Sequence, residues 1–304
     1  MQRITPHLWF DREAREAAEF YTSVFSTREK SPSGGKNSVV KNVSTIHNTP
    51  SGSVDMVTIE LYGQGFSLIS AGPYFKFTPA VSFLVACATR EEVDALWTPL
   101  SNAGTPLMDL GEYPFSEHYG WIQDRYGVSW QVMHMGERPV RQKITPTLMF
   151  VGEQCGKAKE AIDFYTTVFH NARTGDILAY GKGEEPDKEG TMKHAAFTLE
   201  GMDFAAMDSA YQHKFTITEA ISFMVHCATQ DELDYYWKRL SAVPSAEQCG
   251  WLKDRYGVSW QIVPTVMDEM LRDKDPVKLA RVTEAFLKMK KFDIEQLKKA
   301  YAGQ

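Results

Sequence analysis

The sequence repeats itself, and this internal duplication restricts the possible folds more than any other feature of the chain. Residues 120–131 read GWIQDRYGVSWQ, and residues 250–261 read GWLKDRYGVSWQ. Three further blocks return in the same order, with residues 4–10, 19–25 and 80–89 matching residues 144–150, 163–169 and 220–229. Matching blocks in one order predict two duplicated domains, at residues 1–137 and 143–270, which a short polar linker joins.

Within each half, the spacing of apolar residues predicts the same succession of strands and helices. In the second half, a strand-like run at residues 144–150 precedes apolar residues at helical spacing, namely Ala158, Ala161, Ile162, Tyr165 and Val168. Three strand-like runs follow, and a fourth, at residues 220–227, leads into a helix that Thr229 and Glu232 open as a capping box. Two strands around a turn at residues 254–257 end the half. The pattern predicts an α+β fold in which each half is a pair of modules.

The C-terminal residues 271–304 have no counterpart in the first half and are predicted to be helical. Asp275 is suited to the N-cap of a helix, and Pro276 to its first position. An amphipathic stripe follows, and Asp293 opens a last helix. We expect these helices to pack across the sheets or to cover a domain edge, and a binding element is the alternative.

Composition and charge exclude several classes of protein. The chain has 33 Lys and Arg against 39 Asp and Glu, so its net charge of −6 argues against a general nucleic-acid binder. No apolar run approaches the roughly 20 residues that span a bilayer, so we expect no membrane association. The four cysteines are scattered and form no CxxC motif, which is typical of reduced thiols. These features predict a cytoplasmic protein.

The repeated motifs resemble those of the vicinal oxygen chelate superfamily, which includes glyoxalase and bleomycin-resistance proteins. The motifs are Ile-Thr-Pro-x-Leu-x-Phe at the first strand, Phe-Tyr-x-x-Val-Phe at the first helix, and the run from Gln248 to Pro264. Within the superfamily, the chain is most similar to the PhnB-like, or 3-demethylubiquinone-9 3-methyltransferase-like, branch. The resemblance covers both halves. It implies two tandem glyoxalase-like domains, each a pair of βαβββ modules whose sheets curve around a half-open cavity.

Metal-dependent members of the superfamily imply ligands at the start of the first strand and the end of the last strand of each module. The matching positions are Pro146 or Thr147, Asp208, Ala220 and Gln261 in the second half, and Pro6 or His7, Ser70, Ala80 and Gln131 in the first. Alanine, serine and proline are poor ligands, and a neutral glutamine is weaker than glutamate. A catalytic metal normally has three protein ligands. We therefore expect no metal and no cofactor, and a bound metal is the alternative.

The methyltransferase label of the branch is not supported by the residues. A typical methyltransferase that uses S-adenosylmethionine needs a Gly-rich turn between a parallel strand and a helix. Residues 63–65 (Gly-Gln-Gly) lie between two strand patterns, and residues 33–35 (Ser-Gly-Gly) lead to a strand. Neither turn precedes a helix, so we do not expect methyl transfer.

Strand alternation indicates which side chains share a face and can line a cavity. In the second half, this reasoning selects His226, Cys249, Trp251, Ser259 and Gln261 as candidate substrate-binding residues. His194 and Asp208 are candidate catalytic residues, because they would form an acid–base pair if they converge. The matching places in the first half hold Met56, Ala86 and Ser70. We therefore expect the ligand site in the second half.

Two classes of function remain open from the sequence. The first is a protein that binds or transforms a small organic molecule in the second-half cavity, and the alternative is a non-catalytic protein that sequesters a ligand. Whether the chain is an enzyme is left open. The expected partners are a small-molecule ligand and, within the chain, the two halves paired as a pseudo-dimer; a homodimer of the whole chain is a further alternative.

Overall fold

The computed structural model describes residues 2–26, 38–273 and 275–304. The first half contains β1 (Ile4–Phe10), α1 (Ala14–Val24), β2 (Val39–Thr49), β3 (Gly52–Leu61), β4 (Gln64–Ser70), β5 (Val81–Cys87), α2 (Arg90–Ser101), β6 (Thr105–Tyr113), β7 (Ser116–Gln123) and β8 (Ser129–His134). The second half contains β9 (Ile144–Phe150), α3 (Ala158–Val168), β10 (Arg173–Ala179), β11 (Met192–Leu199), β12 (Met202–Asp208), β13 (Ile221–Cys227), α4 (Gln230–Leu240), β14 (Trp251–Lys253) and β15 (Ser259–Pro264). The tail contains α5 (Thr265–Leu271), α6 (Pro276–Leu287) and α7 (Ile294–Ala302).

The described residues divide into two compact units. Unit 1 contains residues 2–22, 38–76 and 218–304, and unit 2 contains residues 23–26 and 77–217. Each unit is built on one sheet. The units therefore do not coincide with the sequence halves at 1–137 and 143–270, because each takes strands from both halves.

The sheet of unit 1 has the strand order β14-β15-β13-β1-β4-β3-β2. Its central pair is β1 with β13, which run antiparallel with Pro6 opposite Phe223. On its other side, β1 runs parallel to β4. The first βαβββ module of the first half and the last module of the second half therefore form one continuous sheet.

Unit 2 repeats this arrangement with the remaining modules. Its strand order is β10-β11-β12-β9-β5-β8-β7-β6, and β5 pairs antiparallel with β9 so that Phe83 lies opposite Pro146. The predicted α+β fold with two tandem glyoxalase-like domains and C-terminal helices is confirmed. The exchange of modules between the halves is the feature that the repeat alone did not reveal.

Predicted local signals form where the sequence places them. The Oγ1 atom of Thr229 accepts a hydrogen bond from the backbone N–H of Glu232 at 3.2 Å, as a capping box requires. Asp275 caps α6 in the same way at Val277 and Lys278. Residues 63–65 form the hairpin between β3 and β4, whereas residues 33–35 lie outside the described residues. Across the described ranges, no helix combines the length and the apolar character that crossing a bilayer demands.

The turn at residues 254–257 is held by a buried carboxylate. Asp254 is 1% exposed and accepts hydrogen bonds from the backbone N–H groups of Tyr256 and Val258 and from the indole Nε1 of Trp260. The last of these three bonds is 2.8 Å long. Asp124 makes the same three bonds in unit 2. The most closely repeated motif of the chain therefore builds a hairpin and anchors a buried tryptophan beneath it.

Candidate functional site

Unit 1 contains a cavity of about 580 Å³ on the side of its sheet that the tail helices cover. We call it the unit 1 cavity. Its walls come from the strands of both halves, from residues 245–249 and from α5 and α6 of the tail. Its size falls within the roughly 300–1,000 Å³ of small-molecule sites in proteins.

Strand alternation accounts for the residues that reach the cavity. On β1, His7 and Trp9 line the cavity, whereas Leu8 is buried on the opposite face of the sheet. On β15, Gln261 faces the cavity and its neighbour Trp260 points the other way, towards Asp254. The cavity therefore receives its polar groups from the first strand of one half and the last strand of the other.

Aromatic rings form one wall of the unit 1 cavity around Trp9. The ring of Trp9 lies edge-on to Phe75 and Trp251, at centroid distances of 5.0 Å and 5.8 Å. The indole Nε1 of Trp9 donates to the carbonyl of Gly72 at 2.8 Å, which fixes the orientation of the ring. The ring of Trp9 is therefore not stacked face to face with either neighbour.

His7 is a buried, neutral side chain in this wall. It is 3% exposed, and burial lowers its pKa to about 3. Its Nδ1 atom is buried and has no hydrogen-bond partner among the described residues. A buried polar atom normally has a partner, and the Nδ1 atom of His7 is an exception.

Gln261 and Ser259 show how the unit 1 cavity differs from the matching face of unit 2. The Nε2 of Gln261 donates to Ser222 at 2.9 Å, and the buried Oγ of Ser259 has no partner among the described residues.

In unit 2, the matching polar groups bind one another. Tyr119 donates its hydroxyl to Gln131 at 2.7 Å, Gln131 donates to Ser82, and Trp121 donates its Nε1 to Ser129 at 2.7 Å. In both units the glutamine donates to a serine, whereas Ser259 of unit 1 lacks the indole donor that Ser129 has in unit 2.

The C-terminal tail closes the unit 1 cavity at the edge strand β14. The backbone N–H groups of Cys249 and Gly250 donate to the carbonyls of Met289 and Lys290, at 2.9 Å and 2.7 Å. In unit 2, strand β6 pairs with β7, and Gly111 of β6 lies opposite Tyr119, which matches Cys249. Residues 289–290 of the tail thus take the place beside β14 that β6 takes beside β7. The segment between α6 and α7 therefore covers this edge of the sheet, and α5 and α6 contribute to the cavity wall.

The structure brings three of the predicted binding residues together in this cavity, namely Cys249, Trp251 and Gln261. Burial raises the pKa of the Cys249 thiol, so the thiol stays protonated at neutral pH. Ser259 lies two residues before Gln261 on the same face of β15. In the cavity, these second-half residues lie beside residues of the first half of the chain as well as others of the second half.

His226 lies next to this set, at the end of β13. Its Nε2 atom is 3.0 Å from the hydroxyl of Thr5, and its Nδ1 atom is 3.7 Å from the carboxylate of Asp268 on α5. Burial lowers the pKa of His226, so its ring is neutral at pH 7. It connects strands of both halves and approaches the tail.

The structure does not bring the predicted acid–base pair of His194 and Asp208 together. Both residues lie in unit 2, and Ala195 of β11 pairs with Ala206 of β12. Alternation places Asp208 on the face of Ala206, whereas His194 lies on the opposite face, where it is exposed.

Asp208 serves the start of α3 instead of a catalytic role. It is 1% exposed and accepts hydrogen bonds from the backbone N–H groups of Gly156, Ala158 and Met192. Burial, the largest influence on this carboxyl, raises its pKa. Ser70 caps α1 in the same way through the N–H of Ala14, at 3.0 Å.

Sequence reasoning missed several cavity residues. Trp9 lies outside the candidate set, although it shares a face of β1 with His7. Asp268 and Phe286 reach the cavity from the tail. Alternation along β1 could have identified Trp9, and the amphipathic stripe of α6 contains Phe286, but no pattern indicated that Asp268 would reach the cavity.

The side chains at the superfamily's ligand positions do not fit a metal in unit 1. Of those positions, His7 and Gln261 reach the cavity, whereas Ser70 is engaged with Ala14. One imidazole and one neutral amide are fewer than the three ligands of a catalytic site. Throughout the described ranges, no group of three or more His, Cys, Asp and Glu side chains is arranged to hold a metal ion.

Comparisons with known proteins agree with the geometry. The model of the 3-demethylubiquinone-9 3-methyltransferase family matches residues 2–133 and 142–263. The PhnB protein of Bacillus cereus is 38% identical, with 44% of this chain and 99% of that chain covered, at a TM-score of 0.38. Glyoxalase I of Zea mays is 11% identical, with 88% of this chain and 94% of that chain covered, at a TM-score of 0.55. No curated protein matches the chain.

The family model matches both repeats and covers most of the chain, and the glyoxalase likeness extends over both units. The chain therefore belongs to the 3-demethylubiquinone-9 3-methyltransferase family, and it has the tandem two-domain fold of the vicinal oxygen chelate superfamily.

Proposed function

We propose that this protein binds a small, largely apolar organic molecule in the unit 1 cavity, without a metal, and holds it without chemical change. The observation that carries the proposal is the aromatic and aliphatic cavity of about 580 Å³, which His7 also lines. Apolar pockets with a few polar groups are typical of ligand sites. The four cysteines are free thiols, which supports a reducing compartment such as the cytoplasm.

Binding without chemistry is favoured over catalysis because the imidazole of His7 and the thiol of Cys249, which line the cavity, are poor proton carriers at neutral pH. His7 has a pKa of about 3 and is already neutral, and the Cys249 thiol is held protonated by burial. His194 and Asp208 point to opposite faces of their sheet. Methyl transfer has no support either, because the turn at residues 63–65 joins two antiparallel strands and precedes no helix.

Filling the cavity tests this proposal. Met224 lines the cavity, and Leu84 is its counterpart in unit 2. We expect the Met224→Trp variant to lose binding of Nile red, a neutral apolar dye, by about tenfold or more, because the added ring occupies the ligand's space. The matched Leu84→Trp variant should keep the affinity of the unmodified protein. The measurement is a fluorescence titration with the dye.

Circular dichroism of both variants would confirm that each one is folded. Equal losses in the two variants, or binding that survives Met224→Trp, would place the ligand elsewhere. If the unmodified protein binds no Nile red, the proposed function is wrong.

A further inference from the structure

The charged residues that line the unit 1 cavity are all acidic. Among the described residues that line it, two carry a carboxylate, Glu219 and Asp268, and none is a lysine or an arginine. An anionic ligand would therefore lose its hydration without gaining a cationic partner, which is costly. The walls favour neutral or positively charged ligands.

The two carboxylates are not equivalent. Glu219 forms an ion pair with Lys253, so its charge is already compensated. The only ion-pair neighbour of Asp268 within the described ranges is the ring of His226, at 3.7 Å. Because burial lowers the pKa of His226, that ring carries no charge at pH 7. Asp268 is thus the uncompensated negative charge of the cavity wall.

The aromatic wall strengthens the same preference. The ring of Trp9 lies edge-on to the rings of Phe75 and Trp251, so it is not stacked face to face with either of them. The face of an aromatic ring attracts a cation, and tryptophan does so most strongly. A carboxylate in an aromatic setting is a recurring means of holding an amine or a quaternary ammonium group.

His7 is a further polar residue of the cavity wall, separate from the two carboxylates. His7 is 3% exposed, lines the same cavity and has an unpartnered Nδ1 atom. As a neutral imidazole it can donate or accept a hydrogen bond without adding a positive charge. It can therefore contact a ligand's polar group without repelling a cation.

We propose that the unit 1 cavity selects organic cations, in which a protonated or quaternary amine is attached to an aromatic or apolar body, and that Asp268 sets this preference. The inference rests on the proposed function, which supplies the cavity as the binding site. The side chain of Asp268 is 39% exposed, so water screens its charge and its effect is moderate.

Three compounds with one shared ring system test the preference. They are 2-naphthylmethylamine, 2-naphthylmethanol and 2-naphthoate, which at pH 7 are cationic, neutral and anionic. We expect calorimetric titration of the full chain to give about tenfold tighter binding for the amine than for the carboxylate, with the alcohol between them.

The Asp268→Asn variant should bring the amine's affinity close to that of the alcohol and leave the alcohol's affinity unchanged. Glu269→Gln provides the matched control, because Glu269 is exposed on the same helix and does not line the cavity. That variant removes the same charge and should leave the order of the three compounds intact.

The outcomes separate the two proposals. If the alcohol binds and the amine binds no more tightly, or if Asp268→Asn and Glu269→Gln act alike, the selection for cations is wrong and the binding site stands. If none of the three compounds binds and Nile red does not bind either, both proposals are wrong.

Discussion

The imidazole ring of His7 lies edge-on to the indole ring of Trp251, with 5.3 Å between the ring centroids. The first residue belongs to the opening strand of the chain and the second to one of its last strands. Their contact exists because β1 pairs with β13 and the last module therefore joins the sheet of the first. The candidate site is thus shared between the two halves of the sequence.

The burial of His7 predicts that stability depends on pH. Its pKa in the folded protein is about 3, below the usual 6.5, so the unfolded chain binds more protons between these values. Stability is therefore lost as the pH falls below 6.5. Between pH 7 and pH 5, we expect the unmodified protein to lose about 2 kcal/mol more than His7→Gln does. Urea unfolding at both pH values measures the difference.

His170, which is exposed, provides the control for this measurement. The His170→Gln variant should follow the pH dependence of the unmodified protein. If His7→Gln also follows it, His7 is not the group responsible.

The contact of Gly250 with the tail predicts that adding a single methyl group at this position lowers the stability of the protein strongly. Gly250 has φ +82°, and a Cβ atom there would lie 2.4 Å from the ring of Phe292. Gly257 has φ +86° and no atom within 4 Å of that position. We expect Gly257→Ala to cost about 1–2 kcal/mol through backbone strain alone. Gly250→Ala should cost at least about 1 kcal/mol more, because the ring must move.

Thermal and urea unfolding of the two alanine variants give the comparison. Equal losses of stability would show that the tail does not pack tightly against residue 250.

The carboxylate of Asp254 should be important for stability. Replacing it by alanine leaves two backbone N–H groups and the indole N–H of Trp260 without their acceptor in a buried place, so we expect Asp254→Ala to cost about 3 kcal/mol. The exposed neighbour Arg255 supplies the control, and Arg255→Ala should stay within about 0.5 kcal/mol. A loss below about 1 kcal/mol for Asp254→Ala would contradict the anchoring role of this residue.

We predict that the same substitution has different effects on ligand binding in the two units. Trp121 is bonded to Ser129, whereas Trp251 faces the unit 1 cavity. We expect one ligand per chain, with Trp251→Ala weakening binding by about tenfold and Trp121→Ala leaving the affinity unchanged. Calorimetry measures both the stoichiometry and the affinity. Two ligands per chain, or equal effects of the two variants, would contradict this view.

Alternation within strands made part of the site predictable. It placed Ser259 and Gln261 on one face and Trp260 on the other, because side chains alternate along any strand. The same rule failed for Asp208, which was grouped with His194 although their strands had no known register. A signal was present, since Lys157 at the N-cap of α3 offers no capping side chain and the helix must obtain an acceptor from elsewhere.

The exchange of modules could not be predicted from the repeat. Strand β1 can pair with β5 of its own half or with β13, and the two partners have nearly the same sequence. Local patterns are identical in both arrangements, so only contacts between distant parts of the chain decide between them. The location of the cavity depends on which partner β1 takes. An expectation that was limited to the second half therefore did not include His7 and Trp9.

Joining the modules in one polypeptide has a consequence for symmetry. Two identical chains that exchanged modules in this way would carry the same residues in both concave faces, and any change in one would appear in the other. The fused chain is free of that restriction. It has histidine at position 7 but threonine at position 147, and cysteine at position 249 but tyrosine at position 119. In one face Tyr119 can therefore bond Gln131, while the other face has Cys249 in place of this tyrosine, at the wall of the cavity.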